Sequence, residues 1–196
     1  MGENQRGFST IRTSITDPLR IATLPVGGRG GAVGVTFAPG KRQKVAMTGN
    51  WHRDLQLDLG AIQKWGASIL ITLLEPHELE ELQIVDLPQC ASKAGIDWHG
   101  LPITDGAAPD ARFLDPWKYL APGFIKGLLE GQRIVVHCKG GLGRAGTVAC
   151  LLLMDSGAAN NAEEAMAIVR EVRRGAIETP AQEAFLRAWF DVSKHS

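Results

Sequence analysis

One stretch constrains the fold more than any other: VVHCKGGLGRAGTVACLLL, residues 135–153, joins two apolar runs through a turn of glycines, a cysteine and an arginine. The run RIVVH at 133–137 is typical of a strand buried in a parallel sheet. The apolar run that starts at residue 146 predicts a helix. A strand that turns directly into a helix is the repeating unit of an α/β sheet. We therefore expect Cys138 at the carboxyl end of a strand, where a helix begins.

The rest of the chain alternates in the same way, so we predict an α/β fold with a central, mostly parallel sheet of about five strands flanked by helices on both faces. GGRGG predicts a hairpin turn. Residues 1–18 are polar and predict a flexible N-terminal segment before a single domain at 19–196. The expected strands are 19–26, 32–39, 67–74, 96–103 and 133–137, and the expected helices are 54–65, 77–83, 86–94, 113–129, 146–155, 161–173 and 180–194.

Composition limits the kind of partner. Lys plus Arg and Asp plus Glu both number 21, so no overall field attracts nucleic acid or an anionic membrane. The three cysteines form no CxxC pair and no disulfide framework. The N-terminus has no apolar core, and no apolar run approaches the about 18 residues of a membrane span. These features predict a cytoplasmic protein with reduced thiols and no metal cofactor.

The turn itself predicts an anion site. Ligands of open α/β sheets bind beyond the carboxyl ends of strands, where the first N–H groups of a helix are free. Glycines allow successive backbone N–H groups to point inward, and an arginine offers a planar fork to two phosphoryl oxygens. The phosphate-binding loop predicted here consists of Lys139, Gly140, Gly141, Leu142, Gly143 and Arg144.

A cysteine in such a ring of donors is favoured as thiolate, because sites of this kind lower a thiol pKa to roughly 3.5–7.5. Cys138 is then a nucleophile for phosphorus, with a phosphocysteine intermediate. The alternative is a buried structural cysteine in a glycine turn. His137, the preceding residue, would either tune the charge of the thiol or orient the loop from beneath.

The segment HCKGGLGRAG resembles the HCxxGxxR signature loop of the cysteine-dependent protein tyrosine and dual-specificity phosphatases. LPITDGAAPD resembles the acid loop of that family, which implies that Asp105 is the general acid; Asp110 is the rival, or else a helix N-cap. RRGAIETPAQEAFL resembles the element whose glutamine holds the attacking water, here Gln182. The alternative for Gln182 is a surface glutamine in a helix begun by Thr179 and Pro180.

Within the family, the resemblance is to the cyclin-dependent kinase-associated phosphatase group and its bacterial relatives, over residues from about 20 to 190. It implies a protein tyrosine phosphatase-like fold and metal-free hydrolysis of phosphomonoesters. Lys139 is the one lysine of the loop, which favours a phosphorylated protein substrate. The alternatives are a phosphoinositide or inositol-phosphate phosphatase, a phosphate-binding module with little turnover, and a rhodanese-type sulfurtransferase, which does not need Asp105.

One residue departs from the family pattern. Many members place Ser or Thr directly after the arginine, where a hydroxyl stabilises the departing thiolate, but this chain has Ala145. Thr147 should point elsewhere if the segment is helical, so we expect slow breakdown of the phosphoenzyme. Of the other thiols, Cys150 is expected in the core. Cys90 is either an inert packed thiol or a disulfide partner for an oxidised Cys138.

Overall fold

A computed structural model describes residues 11–46 and 49–193. Its strands are β1 (Ile11–Arg12), β2 (Ala22–Val26), β3 (Gly31–Phe37), β4 (Arg42–Ala46), β5 (Gly49–His52), β6 (Ile69–Thr72), β7 (Asp97–Gly100) and β8 (Arg133–Cys138). Its helices are α1 (Leu55–Trp65), α2 (Pro76–Glu81), α3 (Leu87–Lys93), α4 (Ala111–Leu129), α5 (Gly143–Asp155), α6 (Ala162–Val172) and α7 (Pro180–Ser193). Every element expected from the sequence is present; position 194, the expected end of the last helix, lies outside the described residues.

The main sheet has five strands in the order β2-β3-β8-β6-β7. Only the β2–β3 hairpin is antiparallel, and the other neighbours run parallel. The predicted α/β class and mostly parallel five-stranded sheet are therefore confirmed. Both faces of the sheet are covered, which explains why its strands read as continuous apolar runs.

Successive side chains of each strand point to opposite faces of the sheet and pack into two separate hydrophobic cores. Leu70 and Val135 lie in a cluster with α1 and α3, whereas Ile71 and Val136 lie in a larger cluster with α4, α5, α6 and Leu186 of α7. Helices thus pack on both faces of the sheet, as predicted.

β8 occupies the centre of this sheet. Phe37 at the end of β3 pairs with Cys138, and Thr72 at the end of β6 pairs with His137. The chain leaves β8 through a short turn and enters α5 at Gly143, three residues before the helix start expected at 146. Cys138 therefore lies at the middle of the carboxyl edge, as the sequence predicted.

A second, three-stranded sheet of order β1-β5-β4 was not predicted. β1 falls in the segment 1–18 that was expected to be flexible, yet Ile11 and Arg12 pair with Asn50 and Trp51 of β5. Strand pairing therefore occurs within the segment that was expected to be flexible; residues 1–10 lie outside the described part of the chain. β4 and β5 are neighbours in sequence, whereas β1 pairs with the distant β5. All three strands are short and polar, so no apolar alternation revealed them.

Candidate active site

The turn after β8 forms a tight loop around the thiol of Cys138, which is 3% exposed. The backbone N–H of Gly141 donates to its Sγ at 3.2 Å. Gly141 adopts φ +70°, and a Cβ there would lie 2.5 Å from the carbonyl of Thr36, so only glycine fits. Gly140 has open space around it instead. From the sequence, Gly140, Gly141 and Gly143 were all expected to let the backbone turn. Of these three residues, Gly141 alone adopts the left-handed conformation.

Arg144 is buried beneath the loop, with 1% of its surface exposed. Its Nη1 and Nη2 meet the two carboxylate oxygens of Glu78 at 2.6 and 2.9 Å, and Nη1 also donates to the carbonyl of Ile103 at 3.0 Å. Burial opposes ionisation of Glu78, but the hydrogen bonds from Arg144 hold its pKa below the usual value. The Nε–H of Arg144 has no partner among the described residues. A fixed cation therefore keeps one buried donor free.

Asp105 lies next to this cation. Its Oδ1 is 2.9 Å from Nη2 of Arg144, while 71% of its side chain is exposed. The loop that carries it is hydrogen-bonded to the residue just before α7: the hydroxyl of Thr179 donates to the Gly106 carbonyl at 3.1 Å. The structure thus brings the predicted acid together with the predicted phosphoryl clamp at a solvent-accessible position.

Asp110, the rival acid, has a structural role. It is the N-cap of α4, and its side chain accepts from the backbone N–H of Arg112 at 3.0 Å. The hydrogen bond from the Arg112 side chain lowers the pKa of Asp110. The N-cap interpretation of Asp110 is confirmed.

Gln182 is fully buried, so its reading as a surface glutamine is wrong. Its Oε1 accepts from the backbone N–H of Glu178 at 2.9 Å, and its Nε2 donates to the carbonyl of Ala107 in the acid loop at 3.2 Å. Glu178 itself accepts from the N–H of Gly143 at 2.7 Å, at the start of α5. The amide of Gln182 thus connects the acid loop to the segment that touches the phosphate loop.

His137 is fully buried below the loop. Its Nε2 is 2.7 Å from Oγ1 of Thr72, which also accepts from the indole N–H of Trp98 at 2.8 Å. Burial lowers the pKa of His137 to about 3, so the ring is neutral near pH 7. A neutral ring cannot supply charge to the thiol, which leaves orientation of the loop as the role this geometry supports.

Ala145 is fully buried in the first turn of α5. The nearby hydroxyl of Thr147 donates to the carbonyl of Gly143 at 2.8 Å. That hydrogen is committed to the helix backbone, so Thr147 points away from the thiol as expected. The described contacts of Cys138 Sγ therefore include a backbone N–H but no hydroxyl donor.

The other cysteines lie apart from the loop. Cys150 is in the core, and burial raises its pKa to about 12, which confirms the core interpretation. Cys90 packs against the α1 and α3 cluster, and its Sγ accepts from Gln56 at 3.2 Å. Cys138 belongs to the cluster on the opposite face. This placement favours the inert-thiol interpretation of Cys90.

Four charged residues near the loop were not predicted as site residues from the sequence: Glu78, Glu178, Lys41 and Arg173. Arg173 donates to the carbonyls of Gly140 and Gly141, both at 2.9 Å. Nζ of Lys41 is 3.4 Å from the carbonyl of Lys139, whose own ammonium pairs with Glu81 at the same distance. The segment RRGAIET, which contains Arg173 and Glu178, was the one available signal; nothing distinguishes Glu78 from the glutamates around it.

Within residues 11–46 and 49–193, no three His, Cys, Asp or Glu side chains converge as a metal site would require. Over the same ranges, each helix is too short or too polar to cross a bilayer.

Comparisons with known proteins agree with this geometry. The family profile described as "Swiss Army Knife protein, DSP-PTPase phosphatase domain" matches residues 66–186. Cyclin-dependent kinase inhibitor 3 of Mus musculus is 28% identical over 177 residues, which is 89% of this chain and 80% of the relative. A probable protein tyrosine phosphatase type IVA A of Dictyostelium discoideum is 31% identical over 126 residues, 63% of this chain and 68% of the relative.

Among solved structures, kinase associated phosphatase with its catalytic-site cysteine replaced by serine superposes with a TM-score of 0.77. The alignment covers 92% of this chain and 98% of that one at 24% identity. At this identity, the superposition supports the fold alone.

Proposed function

Since the chain belongs to the cysteine-dependent protein tyrosine and dual-specificity phosphatase family, we propose that it hydrolyses phosphoproteins with Cys138 as nucleophile, Arg144 as phosphoryl clamp and Asp105 as general acid. One observation carries the proposal. Arg144 is fixed by Glu78, pairs with Asp105 at 2.9 Å and keeps its buried Nε–H free, directly after the loop around Cys138. This arrangement suits a phosphoryl dianion that meets the nucleophile, the clamp and the acid together.

In the first step, the thiolate of Cys138 attacks phosphorus and the bond from phosphorus to the leaving oxygen breaks. The phosphoryl oxygens are held by the guanidinium of Arg144 and by those backbone N–H groups of the loop that do not already donate to Cys138 Sγ or Glu178. Asp105 gives its proton to the leaving oxygen, which departs as an alcohol or phenol. The exposure of Asp105 and its contact with Arg144 support this role.

In the second step, water attacks the phosphocysteine, the S–P bond breaks and the sulfur leaves as thiolate. The carboxylate of Asp105 takes the proton of the attacking water. Gln182 is the proposed positioner of this water. Its amide is held by Glu178 and by the Ala107 carbonyl of the acid loop, so the loop and the water site move together in this proposal.

A phosphorylated protein is the proposed substrate class. The elements from β1 to α7 are proposed to act as one catalytic domain. We also propose a cytoplasmic location, because a reducing compartment keeps the three free cysteines as thiols.

The decisive experiment replaces Cys138 with serine. At neutral pH the hydroxyl stays protonated, so turnover of p-nitrophenyl phosphate should vanish, whereas vanadate or tungstate should still raise the melting temperature. Cys90→Ser is the matched control and should keep wild-type turnover. Wild-type turnover in Cys138→Ser would reject the nucleophile assignment, and loss of all anion stabilisation in a folded variant would reject the loop as the anion site.

A further inference from the structure

The α5 helix begins without a cap of its own. Leu142 stands at the N-cap position with no side-chain hydrogen bond, and the first turn contains no acidic residue. The N–H of Gly143, the first residue of the helix, is bound instead by a carboxylate from a distant segment, since Oε2 of Glu178 accepts it at 2.7 Å. Free N–H groups at a helix start bind anions. A carboxylate of the protein therefore occupies a donor that a phosphoryl group could use.

The absence of a side chain at Gly143 leaves room for this carboxylate. A Cβ at this position would lie 2.6 Å from Oε2 of Glu178 and 3.0 Å from both amide atoms of Gln182. The backbone N–H of Glu178 donates to Oε1 of Gln182 at 2.9 Å, so the carboxylate and the amide lie together over the start of α5. Because Gly143 does not adopt a left-handed conformation, this close approach is the feature that requires glycine there.

The segment that carries Glu178 contacts both kinds of backbone group in the loop. Arg173 donates to the carbonyls of Gly140 and Gly141, both at 2.9 Å, whereas Glu178 accepts from an N–H. The N–H groups of such a loop are the ones that bind an anion. Arg173 therefore supports the loop and leaves its anion-binding groups free, but Glu178 takes one of them.

Glu178 also differs from the other two carboxylates of the site in its charge partner. Glu78 and Asp105 both pair with Arg144, whereas no Lys, Arg or His of the described residues forms an ion pair with Glu178. Its negative charge thus lies uncompensated beside the loop, where it repels a second anion. Water screens part of this repulsion, because Glu178 is exposed.

We infer that Glu178 sets the affinity of the phosphate loop for phosphoryl groups, because it withholds the N–H of Gly143 and places a negative charge beside the bound dianion. This inference rests on the proposed function, in which the loop binds the phosphoryl group, and it names the residue that limits this binding. Inorganic phosphate, the product of the reaction, is then bound weakly and leaves the loop readily. A helix cap would only stabilise α5, whereas this role also requires that Glu178 weaken oxyanion binding.

The test measures how tungstate and inorganic phosphate inhibit hydrolysis of p-nitrophenyl phosphate. Glu178→Ala frees the N–H of Gly143 and removes the charge, so both inhibition constants should fall about tenfold, the usual effect of a hydrogen bond to a charged group. Glu178→Gln keeps an oxygen acceptor for the N–H but removes the charge, so the fall should be smaller, about threefold. Glu171→Ala removes an exposed carboxylate of α6; it is the control, and its inhibition constants should match wild type.

Thermal unfolding provides a second measurement that needs no turnover. Tungstate should raise the melting temperature of Glu178→Ala more than that of wild type, even if loss of a cap lowers the melting temperature of the anion-free variant. Wild type that bound tungstate without hydrolysing p-nitrophenyl phosphate would count against the proposed function alone. Equal tungstate binding by wild type and Glu178→Ala would overturn the inference and leave Glu178 as a helix cap. The same gain in Glu171→Ala, or no tungstate binding by any of these proteins, would overturn it as well.

Discussion

The phosphate loop lies beside a basic cavity of about 600 Å³, here called the flanking cavity, yet the residues of the two regions come from the chain in opposite ways. The loop is one continuous segment, in which the proposed nucleophile, the glycines and the proposed clamp follow within seven residues, 138–144. The cavity gathers Arg12, Arg20, Lys41 and Arg173 from across the whole chain. Functional residues that lie within one turn can be identified from the sequence alone, whereas residues that only the tertiary fold brings together cannot.

The two regions also treat charge differently. In the loop region, Arg144 is neutralised by the buried carboxylate of Glu78 and by Asp105. In the cavity, the aromatic faces of Phe37 and Trp51 surround Lys41 instead. The first arrangement fixes one cation for a reaction, whereas in the second the charge of Lys41 contributes to the field beside the loop.

The largest effect should come from the acid loop. Asp105→Asn removes the proposed proton donor, so kcat should fall on the order of 10²-fold or more for alkyl phosphates. The loss should be smaller for p-nitrophenyl phosphate, whose leaving group needs little protonation. Steady-state rates across leaving groups of graded pKa measure this dependence.

Asp110→Asn is the matched control for that experiment. Asparagine is also a good N-cap, so the start of α4 should survive and the leaving-group dependence should match wild type. If Asp110→Asn showed the steeper dependence and Asp105→Asn did not, the acid assignment would be reversed.

These two aspartates show how far sequence reasoning extends. The N-cap role of Asp110 was predicted because this residue precedes a helix, and the proposed acid role of Asp105 comes from a motif that resembles the family's acid loop. The α/β sheet was predicted from apolar runs, which are typical of strands buried on both faces. Glu78 lies 66 residues from the arginine it binds, and Lys41 lies 98 residues from the carbonyl it contacts. No pattern within a segment encodes such pairs. β1 was missed for the same reason, because its partner β5 is distant in sequence.

An intermediate effect should come from Ala145. After water attacks the phosphocysteine, negative charge returns to sulfur, and Ala145→Ser offers a hydroxyl donor for that charge. We expect a burst of p-nitrophenol in wild type and a steady-state rate about tenfold higher in the variant, for ~1.4 kcal/mol of differential stabilisation. The burst rate itself should change little in stopped-flow traces.

Thr147→Val serves as control for this prediction. The Thr147 hydroxyl is committed to the Gly143 carbonyl, so its removal should leave the steady-state rate unchanged. Absence of a burst in wild type, together with no gain in Ala145→Ser, would show that backbone N–H groups such as that of Gly141 already stabilise the thiolate well enough.

The smallest effect should appear in the flanking cavity, as a pH dependence. Burial, together with the nearby cations Arg53, Arg173 and Lys139, lowers the pKa of Lys41 to about 8, and the charge of Cys138 opposes this shift. Lys41 is therefore charged below about pH 8 and loses its charge above it. A phosphorylated substrate keeps its charge over this range, because the second pKa of a phosphoryl group is about 6.

The attraction of a phosphorylated substrate to the loop should thus weaken as pH rises through about 8 and beyond, since the phosphoryl group itself raises the pKa of Lys41. The ratio of kcat/KM for wild type and Lys41→Arg is the proper measurement, because effects of pH on the substrate and on the catalytic steps common to both enzymes cancel. Lys41→Arg keeps its charge at all these pH values, so the ratio should decline severalfold over this range. A ratio that stayed flat would show that the charge of Lys41 does not contribute to the field that the loop presents to its substrate.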